Sequence, residues 1–201
     1  MDRKAIYKLG CGLYVLSTKD GERDGACIIN TVLQVTNADP IVAAVAVNKS
    51  TLTHEMIEKS RVFNLSVLTK EAPFAIYERF GYQSGRDVDK FAGFASVARS
   101  ENGLVYVTEN TNAFLSFRVT ETKDFGSHTM FIAEATGGQV LSDDESVTYE
   151  LYQSSVKPQP KSEKKATWRC VICDYVYEGE ELPEDFICPL CKHGVADFVR
   201  E

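Results

Sequence analysis

Apolar residues along the chain come in short, β-branched runs separated by polar turns, a pattern that predicts many strands and few helices. Residues 11–18 (CGLYVLST) read as a first strand, and the Gly- and Asp-rich stretch 18–25 as a turn. Residues 26–36 (ACIINTVLQVT) read as one long strand, 37–40 (NADP) as a turn, and 41–47 (IVAAVAV) as an apolar strand. Residues 48–60 read as a helix. Ser50, Thr51 and Thr53 are its capping candidates, and Leu52, Met56 and Ile57 form its apolar stripe. A strand follows at 62–68, then a helix at 72–81 that stops near Gly81, and a charged loop at 82–94. Residues 103–109, 114–122, 129–141 and 147–153 are strand-like. Many strands without regular strand–helix alternation predict a mainly β fold, a barrel rather than a doubly wound sheet.

The pattern then stops. Residues 154–166 (SSVKPQPKSEKKA) are polar, hold two prolines and show no apolar period, so they read as a flexible linker. This divides the chain into a domain at 1–153, the linker, and a small domain at 167–201. The last segment is too short to bury an ordinary core. It carries two Cys-x-x-Cys pairs, Cys170/Cys173 and Cys188/Cys191, which together offer the four sulfurs of a tetrahedral zinc or iron site. Trp168, Tyr175, Tyr177, Phe186 and Phe198 crowd the same segment. Such an aromatic shell limits water and lowers the dielectric around a redox metal, which favours iron over zinc.

Composition adds limits. The 201 residues are 44% hydrophobic and 25% charged, ordinary for a folded protein, and the net charge is −7. Segment 167–201 holds three basic and eight acidic residues, whereas 156–166 holds four basic and one acidic. No broad basic surface suits nucleic acid, and an acidic metal module suits a basic patch on a protein partner. The N-terminal sequence lacks a signal-peptide pattern, and no apolar run reaches membrane-spanning length. The expected compartment is the cytoplasm, where thiols stay reduced and paired cysteines bind metal rather than form disulfides. Cys11 and Cys27 read as small buried hydrophobes.

Polar clusters mark the first domain: Asn30, Thr31 and Gln34 in an apolar strand, Asn48, Lys49, Ser50 and Thr53 at a helix start, and Ser84, Gly85 and Arg86 in the charged loop. A helix N-terminus with hydroxyls and a lysine suits a phosphate, and arginine can fork onto one. Each cluster alone also fits a bland role, as a helix cap or a solvated loop. No Gly-x-Gly-x-x-Gly follows a strand, so a nicotinamide cofactor has no Rossmann site here.

In their order, NTVLQVT, VAVNKSTLTHEMI, FNLSVL and FGYQSGRDVDKF resemble the flavin reductase family with its FMN-binding split barrel, over roughly residues 5–152. WRCVICDYVYEG and FICPLCKHGVADF resemble the two knuckles of rubredoxin. Two departures are Asp174 and Lys192, where rubredoxins usually place glycine in a left-handed turn; a third is a short stretch between the pairs. The combined resemblance implies a homodimeric reductase fused to rubredoxin. NAD(P)H would be the donor, and Cys170, Cys173, Cys188 and Cys191 would bind one iron. It implies FMN with Asn30, Thr31 and Gln34 beside the ring, and Asn48, Lys49, Ser50, Thr53, Ser84, Gly85 and Arg86 around the ribityl and phosphate. It also implies a catalytic role for His128 and a flavodiiron oxygen or nitric oxide reductase as acceptor. Two alternatives remain: a flavin or ferric reductase with a regulatory tail, and a non-enzymatic zinc-ribbon interaction module.

Overall fold

The structure, a computed structural model, describes residue 5 and residues 8–158, 167–179 and 181–200. The chain divides into two compact units, Met1–Pro158 and Gln159–Glu201. In the first, strands β1 (Tyr14–Asp20), β2 (Arg23–Ile29), β3 (Val32–Thr36), β4 (Val42–Asn48) and β5 (Val62–Leu68) precede the short pair β6 (Val97–Arg99) and β7 (Val105–Val107). The long hairpin β8 (Thr111–Asp124) and β9 (His128–Val140) completes it. Seven strands form one antiparallel sheet in the order β2-β1-β5-β8-β9-β4-β3.

The stretch expected as one strand over 26–36 is two. It breaks at Asn30 and Thr31, and its halves form the opposite edges of the sheet. Two residues cannot span a flat sheet of seven strands at about 4.8 Å each, so the sheet must curl until its edges approach. This break makes the barrel. The turn between β1 and β2 is shorter than expected, Gly21 and Glu22, because the flanking polar residues pair across the hairpin down to Asp20 and Arg23.

Both faces of β1 are covered. Leu16 joins an inner cluster with Val45, Ile57, Phe63, Phe117 and Phe131, and Val15 joins an outer one with Leu68, Ile76, Tyr77, Phe80 and Tyr152. Alternate side chains of one strand thus serve two cores. Helix α1 (Leu52–Ser60) buries Met56 and Ile57, and Arg61 closes it in a left-handed conformation, its N–H donating to Ile57 O. Helix α2 (Phe74–Tyr77) runs on as a π-helical turn, Glu78–Tyr82.

Residues 147–153, expected as a strand, instead turn helically. Thr148 caps α3 (Tyr149–Leu151) by accepting from the N–H of Leu151 at 3.1 Å, and a π-helical turn continues over Tyr152–Val156. Tyr149 and Tyr152 stand three apart, a helical spacing that brings both rings to the outer cluster. The turn takes in the start of the stretch read as linker; residues 159–166 lie outside the described residues. Of the β6–β7 pair, β7 lies within the stretch 103–109 expected as a strand, and β6 was not expected. A polar seam holds the pair: fully buried Asn64 donates to Ser100 Oγ (2.8 Å), Leu104 O (3.2 Å) and Val105 O (3.3 Å), and accepts from Asn102 (3.0 Å). Asn64→Ala should cost about 2–3 kcal/mol through unmet buried acceptors and a void, lowering the barrel's melting temperature roughly 2–4 °C per kcal/mol. Calorimetry checks this.

In the second unit, β10 (Thr167–Cys170), β11 (Val176–Glu178) and β12 (Phe198–Arg200) form a small antiparallel sheet with β10 central. Among the described residues no helix is long and apolar enough to cross a membrane.

Candidate functional site

The two Cys pairs fold as matching knuckles. Cys170 O accepts from the N–H of Asp174 (2.9 Å), and Cys188 O from that of Lys192 (3.0 Å). The N–H of Cys170 donates to Tyr175 O (2.9 Å), and that of Cys188 to His193 O (2.8 Å). Asp174 (φ 57°) and Lys192 (φ 63°) both adopt the left-handed conformation that glycine favours, so the geometry survives without glycine at either place. All four sulfurs lie within 4.8 Å of one another; Cys170–Cys191 and Cys173–Cys188 stand at 3.6 and 3.5 Å. Burial raises the Cys188 thiol, but hydrogen bonds from the backbone N–H groups of Cys191 and Leu190 and from the Cys191 and Cys173 thiols together bring it down to about 6. Cys170, Cys188 and Phe198 are buried, with Trp168, Tyr175, Tyr177 and Phe186 packed around them. Four convergent soft ligands in a tetrahedral-sized space fit a single zinc or iron ion.

In the first unit, a cleft of about 300 Å³ opens between the start of α1 and the 82–94 loop. Ser50, Thr53, Ser84 and Gly85, named from the sequence, line it together with Cys27, Thr51, Gly81, Tyr82, Gln83 and Lys90. Thr51 is the true helix cap, accepting from His54 N–H at 3.2 Å. A second cavity of about 280 Å³ shares Ile28, Gly81 and Tyr82 with the first and adds Asn30, Tyr77, Tyr149 and Tyr152. Gly81 lines both, and a Cβ there would stand 3.2 Å from the Ile28 side chain, which would have to give way. The Tyr82 and Tyr152 hydroxyls meet at 2.8 Å, and burial alone pushes the Tyr77 phenol up to about 12.

The remaining named residues line neither cavity. Asn48 orders the turn before α1, its Oδ1 accepting from the N–H and Oγ of Ser50, each at 2.9 Å. Lys49 pairs with Asp124 at 2.7 Å, and Arg86 grips Glu55 through bonds of 2.6 and 3.2 Å. Each carboxylate is held below its ordinary range, first by the hydrogen bond from its cation. Thr31 donates to Asn30 Oδ1 (3.2 Å), and Gln34 is exposed on edge strand β3. His128 opens β9 opposite Asn48, its Nδ1 2.9 Å from Ser127 Oγ. Sequence reasoning missed Lys90, and it read Cys27 as a small buried hydrophobe without placing it at the cleft. Both are buried, and burial pushes the Cys27 thiol up to about 11 against Thr53 and Lys90, which pull it down. Desolvation lowers Lys90. The DVDK charge pattern reads as solvated surface and gives no hint that its lysine turns inward.

Residues 6–158 match the model of the flavin reductase like domain, and residues 168–199 that of the rubrerythrin, rubredoxin-like domain. The chain belongs to the flavin reductase-like family. It is 38% identical to the high molecular weight rubredoxin of Moorella thermoacetica, over 98% of this chain and 99% of that protein. It is 36% identical to the ferric-chelate reductase (NAD(P)H) of Archaeoglobus fulgidus, over 76% of this chain and 89% of that one. An FMN-binding protein from Thermus thermophilus shares the fold, with TM-score 0.60 and 23% identity over 67% of this chain and 73% of its own. The chain is thus a mainly β flavin reductase carrying a rubredoxin-like metal module.

The two adjoining cavities, which share Ile28, Gly81 and Tyr82 in their walls, suit a flavin. Their combined size falls within the range of cofactor pockets, their walls mix apolar and aromatic side chains with a few polar groups, and no carboxylate lines either end of the α1 cleft.

Proposed function

We propose that the protein is an NAD(P)H-dependent electron-transfer oxidoreductase. It would use FMN in the barrel cleft and one iron at Cys170, Cys173, Cys188 and Cys191, and would deliver electrons to a protein acceptor. Bound FMN can take the two electrons of a hydride and release them singly, which matches a one-electron tetrathiolate iron. The observation that carries this reading is the presence, in one chain, of a flavin reductase-like domain and a preformed four-sulfur site.

In this reading the chain's own residues do three things. The α1 start, with Ser50 and Thr53, and the loop at Ser84 and Gly85 hold the phosphate end. Asn30 and the tyrosines of the second cavity hold the ring end and limit water. His128 stands on the α1 side, opposite Asn48, as the candidate proton or nicotinamide contact. Exposed Leu33, Val35, Ile41 and Val140 support a homodimer, which light scattering at twice the 22.4 kDa chain mass would check. A four-thiolate metal site needs reduced cysteines, which fits a cytoplasmic setting. A flavodiiron oxygen or nitric oxide reductase is the proposed acceptor, on the resemblance of the fusion. Acceptor reduction that persists at full rate in Cys173→Ser would remove the iron from the path.

A ferric reductase with a regulatory tail is favoured by one observation: the ferric-chelate reductase relative matches over 76% of this chain. Deleting residues 159–201 separates the readings, because only the tail reading keeps physiological acceptor reduction.

The anaerobic visible spectrum tests the main proposal. Flavin and iron–thiolate bands should both be present, and NADH or NADPH should bleach both. Zinc in place of iron would end the electron-transfer role of the small unit. A protein that takes up no flavin on reconstitution would end the reductase reading.

A further inference from the structure

Lys90 is 7% exposed, rare for a lysine. Its ammonium donates to Ala26 O (2.9 Å) and Phe80 O (2.8 Å), which among the described residues leaves one N–H and the whole charge unanswered. It takes part in none of the ion pairs among the described residues. Two carbonyls can be bridged by a neutral donor, so bridging alone does not explain a buried cation, which costs several kcal/mol without a counter-charge.

The cleft that Lys90 lines suggests where that counter-charge sits. No Asp or Glu is among its lining residues. The start of the nine-residue helix α1 forms the facing wall. There Thr51 Oγ1 satisfies the N–H of His54, and the first-turn N–H groups of Leu52 and Thr53 have no partner within the helix. Buried ammonium, helix N-terminus and the Ser84 hydroxyl therefore converge on one space suited to a dianion. Lys49 and Arg86 differ: both are substantially exposed and already hold carboxylates, and such surface pairs are weak and screened.

We propose that Lys90 is the fixed cation that reads the terminal phosphate of the flavin and sets a preference for FMN over riboflavin. This rests on the flavin reading above and adds to it a residue and a discrimination. A charge-assisted hydrogen bond of about 1.5–3 kcal/mol corresponds to roughly 10- to 150-fold in affinity.

The test is titration of the flavin-free full chain with FMN and with riboflavin, followed by flavin fluorescence. The proposal expects wild type to bind FMN more than 10-fold tighter than riboflavin. It expects Lys90→Gln, which keeps a donor for the carbonyls, to lose roughly 10- to 100-fold for FMN and to hold riboflavin within threefold. Arg86→Gln should cost FMN less than Lys90→Gln does. Parallel loss of both flavins, or FMN binding unchanged in Lys90→Gln, overturns the proposal. If Lys90→Gln lacks the wild-type circular dichroism, Ser84→Asp replaces it. A carboxylate in the same cleft should weaken FMN at least 10-fold and spare riboflavin, and equal effects on the two flavins overturn the phosphate role. Wild type that binds neither flavin overturns the flavin reading itself; wild type that binds both equally leaves that reading standing and removes Lys90 from it.

Discussion

Cys170→Ala will unfold the C-terminal unit and leave the barrel folded. Among the described residues the unit's buried core is Cys170, Cys188 and Phe198, so two of these three carry sulfurs of the metal site. A segment of this size cannot offset its chain entropy with so little apolar burial. A tetrathiolate metal contributes on the order of 10 kcal/mol to folding, and losing one ligand forfeits most of it. Trp168, the only tryptophan in the chain, sits on β10 within this unit. Its fluorescence therefore reports on the small unit alone. The variant should show solvent-exposed Trp168 emission and no iron–thiolate absorbance. Its calorimetric transition for residues 8–158 should stay within about 2 °C of wild type, since a change outside a cooperative unit leaves its melting nearly untouched. A chelator acting on the wild type should give the same emission. Unchanged Trp168 emission in Cys170→Ala would mean that the aromatic shell folds without the metal, against this account.

The metal site was legible because its chemistry is local. Each Cys pair sits in one turn, and the spacing already states which four atoms meet. Most strands were legible for the same reason, as alternation is a property of short windows. The break at Asn30 and Thr31 was hidden: both neighbours are β-branched and apolar, and only the pairing of β3 with β4 shows that the strand changes edges. Tyr149 to Tyr152 misled because aromatics three apart within a β-rich context look like one more strand. In the barrel cleft, sequence reasoning found Ser50, Thr53, Ser84 and Gly85, whose types announce polar or close-approach roles. It passed over Lys90, because the burial of a charge depends on carbonyls at Ala26 and Phe80, which no local pattern records. It counted Lys49 and Arg86 as phosphate ligands, and the structure shows what competes for them, Asp124 and Glu55.

Phe131→Ala should have the largest effect within the barrel and should reach the cleft from the core. Phe131 is fully buried near the start of β9, paired with Val45 of β4 and set in the inner cluster with Phe63 and Phe117. Truncating such a ring costs about 3–5 kcal/mol, the lost transfer energy plus the void it leaves. At roughly 2–4 °C per kcal/mol, the barrel's melting temperature should fall by about 10 °C or more. The second consequence is local. The Phe131 ring lies 5.6 Å from that of His54, which is buried on α1 and bonded through Nε2 to Thr129 Oγ1 at 2.7 Å. His54 is thus the inward anchor of the helix whose first turn walls the cleft. A void beneath it frees the helix start, so flavin affinity should drop several-fold even in the folded fraction. Phe63→Ala offers the control: it empties the same core and stacks on Phe117 at 5.2 Å, but Phe63 has no ring contact with His54. Equal stability loss in both variants, with flavin affinity weakened only in Phe131→Ala, is the expected outcome. Equal weakening in both would assign the effect to global softening and remove His54 from the link between core and cleft.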